Sequence, residues 1–284
     1  MQAELATPLD EQRALLEQRF PQFLVTLGSG ARVAVRECGP RDAATTLVLL
    51  HGISSGAASW LQAVLPLAAT HRVIAWDAPG YGHSTPLAQA SPTPDDYAER
   101  LQETLRALEV RRCVLAGHSL GALMACAYAA RDNGDLERLV LISPARGYGN
   151  DAADAARVRQ QRLVALETQG VAGIAAKIDQ RLVSAQASEA AREWVRWNAS
   201  RLDPRGYRQA VELLCNGQLA RVPAGLPVEV HCGEADVVTT PQACTQAAQA
   251  LGASYHPIAN AGHASPVEQP AAVAALLARA LEQK

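Results

Sequence analysis

The amino-acid sequence predicts an α/β fold: a mostly parallel sheet with helices on both faces and a helical insertion late in the chain. Three observations carry this expectation. Short continuous apolar runs alternate with helix-patterned segments, as strands buried on both faces require. The alternation stops at about residue 147, where the pattern turns helical and more charged, and resumes after residue 226. Apolar residues make up 49% of 284 positions, enough to fill one large core.

The elements follow in order. Residues 8–18 read as a short amphipathic helix with Thr7 as N-cap and Pro8 in the first turn. Strand-like runs at 22–27 and 32–37 flank Gly28-Ser29-Gly30, a hairpin turn. Residues 46–50 form a buried strand. A helix follows, with Trp60, Val64, Leu67 and Ala68 on one face. Residues 72–76 are the next strand. Thr93-Pro94-Asp95-Asp96 is a helix start: N-cap, first-turn proline, then acids at the positive end of the dipole. Tyr97, Leu101, Leu105 and Leu108 mark the buried stripe of that helix. Residues 113–117 and 139–143 are strands, and 120–130 is a nearly all-apolar helix between them. Within the insertion, 155–168 and 188–200 read as helices, and Asp203-Pro204 as another N-cap pair. Strands at 228–232 and 254–258 and a last helix at 271–283 complete the chain. The expected division is a core of residues 1–146 and 227–284, with a helical lid at 147–226.

Composition excludes several classes. The net charge is −2 with both signs dispersed, so there is no basic stripe for nucleic acid and no polybasic membrane anchor. The six cysteines, Cys38, Cys113, Cys126, Cys215, Cys232 and Cys244, show no metal-like spacing and read as small buried hydrophobes of a reducing compartment. Residues 1–13 carry Glu4, Asp10 and Glu11 and no apolar run, which argues against a signal peptide. A cytoplasmic protein without a membrane span is the expectation. Nothing in the sequence specifies an oligomeric state.

The strongest chemical signal is Gly117-His118-Ser119-Leu120-Gly121, placed after a strand and before a helix. A serine on so sharp a turn needs small flanking residues, and the turn lifts its hydroxyl clear of the sheet. The new helix aims N–H groups and its positive end at the reacting centre. Ser119 is therefore the candidate nucleophile. A serine hydroxyl needs a base. His263, in the loop Asn260-Ala261-Gly262-His263 after the last strand, is the candidate. His118 is locked beside the nucleophile, His231 and His256 lie in strands, His71 precedes one, and His83 falls in a surface-like loop. The base in turn needs a carboxylate to hold its tautomer. Gly233-Glu234-Ala235-Asp236 follows a strand; Asp236 is the choice and Glu234 the local alternative. Two donors are needed for the oxyanion. The Leu120 N–H is one expected donor, and the Ile53 N–H, in the loop His51-Gly52-Ile53-Ser54-Ser55-Gly56, is the other. His51 is read as a brace. No metal or organic cofactor is required.

Together, His51-Gly52, the segment from Asp77 to Ser84, the Gly117–Gly121 elbow, the Gly233–Asp236 loop and Gly262-His263 resemble the α/β-hydrolase family over nearly the whole chain. The resemblance implies an eight-stranded, mostly parallel core with a helical cap between strands six and seven. It also implies a structural role for Asp77–Ser84. Ser119 at the elbow argues against the Asp-nucleophile members. The chain is similar to small-ester hydrolases, enol-lactonases and carbon–carbon bond hydrolases. Ile53-Ser54-Ser55 and Ala264-Ser265-Pro266 depart from the glycine run and the tryptophan that the carbon–carbon enzymes carry. Arg192 and Arg196 are candidates for holding a substrate carboxylate, with a solvated face as the competing reading. Trp194 and Trp197 either wall the pocket or pack the lid. The expected activity is cleavage of a small carboxylic ester through an acyl-enzyme. The alternatives are carbon–carbon or enol-lactone hydrolysis, and a non-catalytic ligand-binding protein on the same fold.

Overall fold

A computed structural model of the chain describes residues 9–131 and 134–283. Eight strands form one sheet: β1 Gln22–Thr26, β2 Arg32–Cys38, β3 Thr46–Leu50, β4 Arg72–Trp76, β5 Cys113–His118, β6 Leu136–Ile142, β7 Val228–Gly233 and β8 Ser254–Ile258. Their spatial order is β1-β2-β4-β3-β5-β6-β7-β8. The β1–β2 and β2–β4 pairs are antiparallel and all the others parallel. The predicted strands at 46–50, 72–76 and 254–258 match these bounds. The predicted hairpin closes with the Leu27 N–H donating to the Ala31 carbonyl.

The strands divide their side chains by the period of two. Val48, Leu50, Ile74, Trp76, Leu115 and Leu141 face one core. Leu47, Leu49, Val73, Ala75, Val114 and Val140 face the other. Helices α3 Pro94–Ala107, α4 Gly121–Ala130 and α9 Pro241–Leu251 cover the first face. Helices α1 Leu9–Arg19, α2 Leu61–Val64 and α11 Pro270–Glu282 cover the second, with the one-turn α10 Ser265–Glu268 leading into α11. Helix α3 begins at a capping box in which Thr93 and Asp96 exchange bonds. The predicted cap of α1, Thr7 with Pro8, lies outside the described residues.

Two expectations need correction. The single helix predicted after β3 is a 3-10 turn, Ala57–Trp60, running into the one-turn α2 and then turns. Its apolar periodicity reflects burial from several sides; Trp60, Leu61, Ala63 and Val64 all lie in the second core. The predicted helix at 155–168 runs further, as α5 Ala152–Ala175, and is broken at Gly170, whose φ is +64°. Helix α9, absent from the sequence expectation, starts at a Thr240 cap followed by Pro241.

Between β6 and β7 lie α5, α6 Asp179–Leu182, α7 Glu189–Ser200 and α8 Pro204–Asn216. Asp203 caps α8 through bonds from the N–H groups of Arg205 and Gly206. Buried Gln209 on α8 clamps the loop after β4 by donating to the carbonyls of Leu87 and Gln89. No helix among the described residues is long and apolar enough to cross a membrane.

Candidate active site

The site forms at the carboxyl ends of β3, β5, β7 and β8, where loops leave the parallel strands. Ser119 follows β5 directly. Its φ of +52° is in the left-handed region, a sparsely populated conformation for a residue with a Cβ. Close packing forces this turn. A Cβ at Gly117 would sit 2.7 Å from the Gly121 carbonyl oxygen, and one at Gly121 would sit 2.5 Å from that of Leu50. The Ser119 N–H is held by the Ile142 carbonyl at 3.0 Å.

Three side chains from distant segments meet here. The Ser119 Oγ lies 2.9 Å from His263 Nε2, and His263 Nδ1 lies 2.8 Å from Asp236 Oδ2. All three residues are buried. With the carboxylate accepting from Nδ1–H, Nε2 is left free to accept the serine proton. The Asp236 Oδ1 accepts the N–H groups of Val238 at 2.7 Å and Thr239 at 3.0 Å. Burial alone would push the Asp236 carboxyl up; the hydrogen bond and charge of His263, with the Val238 N–H, outweigh it and hold the pKa at about 2. Glu234, the alternative acid, is exposed.

The surrounding polar groups brace this arrangement. His118 Nε2 lies 2.8 Å from the His263 carbonyl. Desolvation, then the charge of His263, lower its pKa to about 3, which keeps the ring neutral. His51 Nδ1 lies 2.8 Å from the Gly52 carbonyl, and its Nε2 accepts the Ala78 N–H at 3.0 Å. Asp77 accepts from the Ala57 N–H and from Gln22 Nε2, consistent with a structural role for the 77–84 turn.

A cavity of about 210 Å³ opens onto Ser119 and His263. Ile53 and Leu120 line it, and neither backbone N–H is spent on an acceptor among the described residues.

A family model described as the alpha/beta hydrolase family matches residues 47–276. The chain belongs to the alpha/beta hydrolase family. Its structural neighbours include an enol-lactonase from Burkholderia xenovorans, with a TM-score of 0.78, 24% identity, and coverage of 92% of this chain and 100% of that one. A hydrolase from Pseudomonas aeruginosa gives a TM-score of 0.79 at 26% identity over 92% and 98% of the two chains. Among curated relatives, a 2-hydroxymuconate semialdehyde hydrolase of a Pseudomonas species is 34% identical over 42% of this chain and 42% of its own. A 2-hydroxy-6-oxononadienedioate/2-hydroxy-6-oxononatrienedioate hydrolase of Cupriavidus pinatubonensis is 34% identical over 48% of each. These matches span less than half the length of the curated relatives.

Several residues of the candidate site carry little signal in the sequence. Thr239 Oγ1 lies 3.0 Å from Asp236 Oδ2, 3.2 Å from His263 Nδ1 and 3.0 Å from the Ser143 carbonyl. Glu268, buried, accepts the Gly262 N–H at 2.7 Å and the Ser184 N–H, tying the histidine loop to the turn before α7. Its trace in the sequence is faint, an acid in an apolar stretch five residues after the histidine. The two α7 arginines that the sequence offers as carboxylate holders stand elsewhere: Arg192 and Arg196 pair with Asp179 and do not line the cavity. Trp194 and Trp197 stack on each other at 4.5 Å, away from the cavity, with Trp194 Nε1 donating to the Ala58 carbonyl. They pack α7.

Proposed function

We propose that this member of the family is a serine hydrolase that cleaves a carboxylic ester of a small molecule through an acyl-enzyme on Ser119. The observation that carries the reading is the continuous line from Ser119 Oγ through His263 to Asp236, at 2.9 and 2.8 Å, facing a cavity. Ser119 Oγ attacks the carbonyl carbon while His263 Nε2 takes its proton. The carbonyl electrons move onto oxygen, which is held by the N–H groups of Ile53 and Leu120. Collapse breaks the ester bond, and His263 returns the proton to the leaving alkoxide. Water then attacks the acyl carbon as His263 takes a proton from it. The second collapse frees the acid and restores the Ser119 hydroxyl. Asp236 holds the imidazole in the required tautomer and offsets its charge during each step. Residues 147–226 serve as the lid that shapes the cavity.

The test is turnover of p-nitrophenyl butyrate by Ser119→Ala. The expected loss in kcat is on the order of 10^4-fold, with loss of labelling by a fluorophosphonate probe. Wild-type turnover in the variant would overturn the proposal. A second reading, carbon–carbon bond hydrolysis, is favoured by the two curated relatives named as hydrolases of such substrates. Faster disappearance of a vinylogous diketone than of simple esters would select it.

A further inference from the structure

We infer that the substrate carries a carboxylate remote from its scissile bond, and that Arg162, with Arg146 and Arg181, receives it. This substrate class rests on the reading of Ser119 as nucleophile. Three arginines from three separate elements line the Ser119 cavity: Arg146 after β6, Arg162 on α5 and Arg181 on α6. No aspartate or glutamate among the described residues lines it. Asp236 stands behind His263 and is engaged there.

Five of the eight other arginines between β6 and β7 are neutralised. Arg157, Arg159, Arg192, Arg196 and Arg208 each lie within 4.0 Å of a carboxylate oxygen. None of these five lines the cavity. Arg146, Arg162 and Arg181 have no carboxylate at that range among the described residues. Half-buried Arg162 donates to the Tyr207 phenol at 3.2 Å, and Arg146 to the Gln246 amide oxygen at 3.0 Å. Both acceptors are neutral, so neither bond cancels a positive charge; Arg146 and Arg181 are exposed. A cleft with one sign of charge and apolar walls focuses its field and attracts an anion. Here those walls include Ile178, Leu182 and Leu214. A guanidinium presents a planar fork that fits a carboxylate through two bonds.

The experiment compares mono-p-nitrophenyl esters of dicarboxylic acids, glutarate to suberate, with p-nitrophenyl esters of the corresponding monocarboxylic acids, pentanoate to octanoate. At least one half-ester should exceed its neutral counterpart in kcat/KM by about tenfold, carried mainly by KM. That ratio should fall about tenfold in Arg162→Gln and shrink at high salt. No preference in the wild type overturns the inference; so does an unchanged ratio in both Arg162→Gln and Arg181→Gln. If neither ester class turns over, the ester-hydrolase reading fails, and calorimetry then decides the arginine site separately. Monomethyl suberate bound at least about tenfold more tightly than the neutral dimethyl suberate supports it. Equal binding, or none, overturns it.

Discussion

Ser119 holds a backbone conformation that costs roughly 1–3 kcal/mol wherever a Cβ is present, and the neighbouring glycines leave the chain no other path. This cost places the hydroxyl where His263 can reach it. The pairing makes Asp236→Asn informative. The amide keeps the shape but favours the wrong imidazole tautomer, so kcat on p-nitrophenyl butyrate should fall on the order of 10^4-fold. Thr239→Val removes one charge-assisted hydrogen bond from the same carboxylate and should lower kcat about tenfold. The candidate nucleophile is legible because its five-residue motif is contiguous. The candidate acid is less so: Glu234 and Asp236 share one short loop, and only the turn made by the Val238 and Thr239 N–H groups aims one of them inward.

Helices and strands were predicted where their cause is local. The Thr93 and Asp203 caps, the proline starts at Pro94 and Pro204 and the short buried strands at 46–50 and 72–76 depend on neighbours in sequence, and each is found at its expected place. The segment after β3 failed as a helix because packing from several directions, not periodicity, sets its apolar content. Attachment of the helices between β6 and β7 to the sheet depends on a backbone approach at α8. Gly206 packs directly against Gly80 in the turn after β4. Gly206→Ala must push α8 away from that turn. The expected destabilisation is about 1–3 kcal/mol by urea denaturation, with faster proteolysis between residues 147 and 226. Asp203→Ala removes two capping bonds from the same helix and should cost about 1 kcal/mol.

Across the molecule, acid stability follows from histidines kept neutral. Desolvation lowers the pKa of His118 to about 3 and lowers those of His51 and His231. Above the ordinary value of 6.5 both folded and unfolded chains hold these rings uncharged. Below it the unfolded chain takes up protons that the fold refuses, so stability falls as pH drops from 6.5 toward 3. Each such ring contributes a slope of about 1.4 kcal/mol per pH unit while its folded form stays neutral. Asp236 adds a further loss only below its ordinary value of 3.8, as pH falls toward 2. Tm should decline between about pH 6.5 and pH 4.5, and His118→Asn should flatten the decline; a Tm constant over that interval in the wild type would contradict the assignment.

The order of chain segments, the sheet-and-helix alternation, the elbow serine and the histidine loop are all legible in the linear sequence, because each leaves its signature within a short stretch of residues. The cavity did not. Arg162 sits in a run of arginines and glutamines on α5, and nothing in that run separates it from Arg157 or Arg159. Charge pairing across elements makes the difference. Glu212 on α8 neutralises Arg159, whereas Arg162 meets a phenol and open space beside Ser119. Which charges are cancelled and which face the cavity is a property of how helices dock, and docking brings together residues that sequence spacing keeps far apart.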